Sequence, residues 1–175
     1  MAQIKMLTVN LLRALLVPAT LCFGCGVMAS NALDVPADWV EVSAGTLFSV
    51  KAPPGTVFKP GQGKDSVIGA FEGPGFLLSF DYGVYSDPLD RDSRDQGYQA
   101  RDTRVNGKAA KIVTAYARLR SPVRPYFIGI HFPDVEKSSL GSIKLTVSGS
   151  LEKKEDYSIV EKILATIRFQ SKQGS

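Results

Sequence analysis

Apolar and polar residues alternate in short runs along most of this chain, and only near its end does the period lengthen. Ile143, Leu145 and Val147 alternate with Lys144, Thr146 and Ser148, the two-residue period of a strand with one face buried. Past the charged run Glu152 to Glu155, the apolar positions become Ile159, Val160, Ile163, Leu164 and Ile167, the spacing of an amphipathic helix. Asp156 stands where a capping carboxylate would accept from the free N–H groups of the first turn, and Glu161 and Lys162 fall on the polar side. A helix of about three turns is marginal by itself, so the stripe predicts a sheet for it to lie on.

Upstream, the pattern supplies that sheet. Trp39 to Ser43 and Leu47 to Ala52 read as two strands around a bend at Gly45, stopped by Pro53-Pro54-Gly55. Thr56 to Asp65, with Pro60, Gly61 and Gly63, reads as a loop. Val67 to Glu72 and Phe76 to Tyr82 flank Gly73-Pro74-Gly75 as a hairpin. Asp87 to Gln99 is polar and without period, a surface excursion, although Ser86 to Tyr98 has room for a second helix. Asn106-Gly107 is a two-residue turn signal, because both central positions of a type I′ turn need positive φ. It joins Arg101–Val105 to a strand from Lys108 to Leu119. Tyr126 to Phe132 resumes the sheet with His131 on the less apolar face, and Pro133 to Ser139 reads as a loop. Six to seven strands and one helix predict an α+β domain, an antiparallel sheet covered by the C-terminal helix. Several strands are apolar on both faces, which predicts cover on the second face as well.

Composition sharpens the picture at the amino terminus. Lys5 and Arg13 precede Ala14 to Met28, an uncharged and mostly apolar run of 15 residues, followed by Ala29-Ser30-Asn31-Ala32. This is the layout of a secretory signal over residues 1–32, cleaved after Ala29 or Ala32, leaving one domain over 33–175. The run is short for a bilayer core, which needs roughly 20 apolar residues. Gly24-Cys25 partly matches a lipoprotein box, so lipidation at Cys25 and membrane attachment is the alternative to a periplasmic or secreted protein. Both cysteines, Cys22 and Cys25, lie in this leader, so their C-x-x-C spacing lacks the folded setting of a redox pair. Removing Lys5 and Arg13 from 21 basic residues leaves 19 against 17 acidic, which calls for no nucleic acid.

The candidate chemistry is sparse. His131 is the one histidine, which excludes a histidine cluster for zinc, though a hydrolase using His131 with Ser79 or Asp81 on a neighbouring strand stays open. Asp87, Asp90, Asp92 and Asp95 are acidic enough for calcium, but Asp95 stands where an EF-hand needs glycine and Arg101 where it needs glutamate. Arg91, Arg94 and Arg101 neutralise them instead, and no metal or other cofactor is expected. Arg118, Arg120 and Arg124 gather around Pro122 and Pro125 between Tyr116 and Tyr126. Arginine forks beside aromatic rings suit recognition, so these five, with Tyr85 and Tyr98, are the candidate binding residues.

Three stretches carry a family resemblance. These are Phe48-Ser49-Val50 leading to Pro53-Pro54-Gly55, the opening Val105-Asn106-Gly107-Lys108-Ala109-Ala110, and the close Leu145-Thr146-Val147-Ser148-Gly149-Ser150, helix, Thr166-Ile167-Arg168-Phe169. Their order resembles the PsbP-like family over about Leu47 to Phe169. The resemblance implies an α/β/α sandwich and, since members mostly bind other proteins, a non-enzymatic exported protein that binds a protein or envelope component. A periplasmic immunity protein against a secreted effector is the more specific form it implies.

Overall fold

The computed structural model describes residues 34–90, 96–116 and 122–170. The leader with Cys25, the arginines at 91, 94, 118 and 120, the aspartates at 92 and 95, and the expected strand end at 117–119 lie outside the described residues.

Ten strands and one α-helix are laid out along the described chain. Strands β1 (Val40–Ala44) and β2 (Phe48–Ala52) pair as the expected hairpin, with Gly45 at φ +60° in its turn. β3 (Val57–Pro60), β4 (Val67–Gly73) and β5 (Phe76–Gly83) follow as an antiparallel meander. β6 (Gln96–Val105) and β7 (Lys108–Tyr116) are joined by Asn106 and Gly107, both at positive φ as the turn chemistry requires. β8 (Tyr126–Ser138) and β9 (Gly141–Leu151) form a long hairpin, and the helix α1 (Tyr157–Ala165) and short strand β10 (Arg168–Phe169) close the chain. β10 pairs with β2, giving a three-stranded sheet β1-β2-β10, while the other seven strands form one antiparallel sheet ordered β3-β4-β5-β9-β8-β7-β6.

The helix and the small sheet cover one face of the large sheet. Val160, Ile163, Leu164 and Ile167 are fully buried there, each contributing roughly 1.5–3 kcal/mol by leaving water. Phe48 of β2 meets Phe71 and Phe80 edge-on at 5.7 and 5.1 Å between ring centroids, and Phe169 of β10 meets Phe132 at 5.1 Å. Thr166, the residue that ends α1, accepts the Lys51 N–H at 2.8 Å and donates to the Ile163 carbonyl at 2.7 Å, tying the helix end to β2.

Several expectations change. Asp156 caps nothing with its side chain, because a 3-10 turn over Lys154–Asp156 leads in and has already given Asp156 helical angles (φ −70°, ψ −14°). Ile159 lies at the edge of the stripe and is 39% exposed. The expected loop from Thr56 contains β3, which pairs with β4 despite Pro60 because an edge strand has no second neighbour to serve. Pro133 does not end β8 either. The strand passes it in an irregularity between Phe132 and Glu136, where the missing N–H costs no ladder bond. β6 begins at Gln96, inside the expected polar excursion. The second face of the large sheet carries no helix among the described residues, so the α/β/α sandwich is not seen. Backbone without regular helix or strand from Val84 to Leu89 runs over that face instead.

Candidate functional site

Strand register decides what the second face presents. Antiparallel partners line up Ile68, Asp81, Thr146, His131, Lys111 and Asp102 in one row across β4-β5-β9-β8-β7-β6. The adjacent row reads Ala70, Ser79, Ser148, Gly129, Val113, Ala100. The first row holds the charged groups with Thr146 and His131, and the second is a valley of mostly small side chains with two serine hydroxyls.

One end of the valley is filled. Leu89 is 96% buried above Gly129, where an added Cβ would stand 2.8 Å from its Cδ1. Leu89 reaches that position with φ at +64°, a conformation that costs a non-glycine residue about 1 kcal/mol or more. The Asp87 carboxylate accepts the Leu89 N–H at 2.8 Å and steadies the turn.

A buried hydroxyl pins this segment to the sheet. Thr146 Oγ1 lies 2.6 Å from the Asp87 carbonyl, 2.7 Å from Ser86 Oγ and 2.8 Å from His131 Nδ1. A carbonyl can only accept, so the Thr146 proton goes to Asp87 and the imidazole must donate from Nδ1. Ser86 also lies 3.0 Å from the Asp81 carbonyl and donates to either oxygen. His131 is 5% exposed, and its pKa is lowered chiefly by burial and then by Lys111 and Lys144. It is a neutral donor that orders the segment over the sheet. Ser79 and Asp81, its expected neighbours, stand on β5, and β9 lies between that strand and β8.

The open part of the valley is a cleft of about 840 Å³. Ala70, Ser79 and Ser148 floor it, Ile68, Phe127 and Leu89 give it apolar walls, and Lys59 to Gly61 at the end of β3 form the rim. Asp81 also lines it. One oxygen of that carboxylate, Oδ1, is buried with no hydrogen-bond donor, and among the described residues no cation pairs with it. Lys59 pairs with Glu72, and Lys111 pairs with Asp90. Among the described residues no group of three metal-ligating side chains gathers, and no helix is long and apolar enough to cross a membrane.

The expected recognition residues are only partly assembled. Tyr116 and Tyr126 are cross-strand partners with ring centroids 5.3 Å apart, and Tyr157 stands edge-on to Tyr126 at 5.9 Å. These rings therefore brace the start of α1 from the covered side. The Tyr157 hydroxyl donates to the Ala115 carbonyl at 2.8 Å, and burial with the neighbouring Tyr126 pushes its pKa up to about 12. Arg124 pairs with Glu152 at 3.4 Å, while Arg118 and Arg120 lie outside the described residues. Tyr85 is 82% exposed and Tyr98 half-buried on β6, and neither shares a ring contact with that cluster among the described residues. The cleft itself escaped the sequence reading: Ala70, Ser79, Gly129 and Ser148 are remote in the chain, and only strand register makes them neighbours.

Comparison with known proteins gives no matching family model and no significant match among curated proteins or solved structures.

Proposed function

We propose that this protein is exported and works by binding, without chemistry of its own, holding an envelope component in the cleft on the second face of its large sheet. One observation carries the reading: a concavity of about 840 Å³, of the size that takes small ligands, is lined by Asp81, whose buried Oδ1 the described chain leaves without a donor. The leader pattern of residues 1–32 supports export, with lipidation at Cys25 as its anchored form. The non-enzymatic part is supported by the proton order around Thr146, which commits the His131 Nδ1 proton to a bond that holds backbone in place. A PsbP-like origin is supported by the run of β2 into Pro53-Pro54-Gly55, the Asn106-Gly107 turn and the β9, α1, β10 close.

A second reading, inhibition of a secreted effector by protein contact, is favoured by Val123, 74% exposed beside Arg124 and close in sequence to the Tyr126 ring.

Native mass spectrometry of the protein purified gently from its own envelope fraction tests the proposal. The expected result is a chain that starts after Ala29 or Ala32, or a lipidated Cys25, and that retains a small-molecule mass. Ser148→Trp, which fills the cleft floor, should lose that mass. A full-length cytoplasmic chain, or hydrolysis of an ester or glycan panel that depends on His131, would overturn it.

A further inference from the structure

We infer that the cleft selects an amphipathic organic cation, a primary ammonium or guanidinium group carried on an apolar body, with Asp81 as the residue that selects it. This rests on the cleft-binding reading above and adds the chemistry of the ligand.

Asp81 sits in the row between Ile68 and Thr146, and nothing in that row can serve its carboxylate. The Thr146 proton is spent on the Asp87 carbonyl, Ile68 has none to give, and Ser86 reaches the Asp81 backbone carbonyl rather than its side chain. Of the lysines on this side, Lys59 and Lys111 are held by Glu72 and Asp90, and Lys144, two residues before Thr146 on β9, makes no ion pair with Asp81 among the described residues. A ligand that covers this carboxylate therefore meets an acceptor without a donor. An anion would be repelled by it. Oδ1 is already out of water, so a neutral apolar ligand would strip water from the part of the half-buried carboxylate that still meets solvent and return nothing, a loss of roughly 1–3 kcal/mol or more for a charged group. A ligand bringing N⁺–H groups supplies the missing charge-assisted hydrogen bonds. The walls state the other half of the requirement, since Ile68, Phe127 and Leu89 offer aliphatic and aromatic surface that a small hydrated cation would not use. Leu89 is held there in an unfavourable backbone conformation, so the wall is maintained at a cost to the fold.

The test uses the full chain as purified and three dansyl probes sharing one fluorophore and one short alkyl arm, ending in an ammonium, a hydroxyl or a carboxylate. Fluorescence titration at neutral pH should give a Kd for the ammonium probe at least about tenfold below that of the hydroxyl probe, with the carboxylate probe weakest. Asp81→Asn should erase the preference. So should Ser79→Arg, which sets a guanidinium beside Asp81 from an exposed position and leaves the core untouched. Circular dichroism checks that both variants are folded. Equal binding of all three probes, or a preference that survives both variants, overturns the inference while the cleft remains a binding site. Failure of every probe overturns it too, and the retained mass in native mass spectrometry then tells whether the cleft reading falls with it.

Discussion

His131 is the residue whose chemistry most invites misreading. Its ring lies in the sheet's second face, donates to Thr146, and through Thr146 holds the Asp87 carbonyl. Burial and two nearby lysines disfavour the imidazolium, so its pKa in the folded protein lies below the ordinary 6.5. The unfolded chain then takes up the proton first. The associated stability is fully present above pH 6.5 and is lost as pH falls through the folded value. Thermal midpoints of the native protein should drop more steeply between about pH 7 and pH 5 than those of His131→Asn, which keeps a neutral donor near the Nδ1 position. Parallel slopes would show that the imidazole is not held neutral. Sequence alone placed His131 on the less apolar face but not its partner, because Thr146 is 15 residues away and meets it only through the β8–β9 register.

At the scale of the element, α1 shows how far periodicity reaches. Spacing located the helix within a residue or two and named its three buried positions, Val160, Ile163 and Leu164, together with Ile167 just beyond its end. It overreached at Ile159, because an apolar residue at the margin of a stripe looks the same in sequence whether or not a strand lies beneath it. Ile163→Ala should therefore cost about 2–5 kcal/mol in denaturant unfolding and Ile159→Ala less than about 1 kcal/mol. Equal losses would mean that the helix is rotated about its axis. The strands divide the same way. β4, β5 and the first half of β8 were legible from alternation, whereas β3 and β10 are too short to show a period and exist because a neighbouring edge accepts them. The small-residue valley was illegible for a related reason, since Ala70, Ser79, Gly129 and Ser148 each look like an ordinary strand residue until four strands are aligned.

For the whole molecule, the order of assembly matters more than any one contact. The first hairpin, β1-β2, receives its third strand from β10, and the core that Phe48 and Val50 help to fill is closed by α1. The neighbours β5 and β9 are likewise joined across more than 60 residues of chain. A version ending at Glu155, without the helix and last strand, should show no cooperative thermal transition, because it lacks four fully buried side chains and one strand of the small sheet. A sharp transition in that truncation would mean that the seven-stranded sheet is stable without α1 and β10 over it.

The pairing of Arg168–Phe169 with Ser49 and Phe48 also sets a timetable. Whatever delivers this polypeptide, ribosome or translocation channel, releases the partner of the β1-β2 hairpin about 120 residues after the hairpin itself. Until then the early strands stay uncommitted, a pliant thread rather than a finished body. For a protein exported as we propose, that delay keeps the chain narrow enough to pass through a pore and postpones locking until the far side is reached.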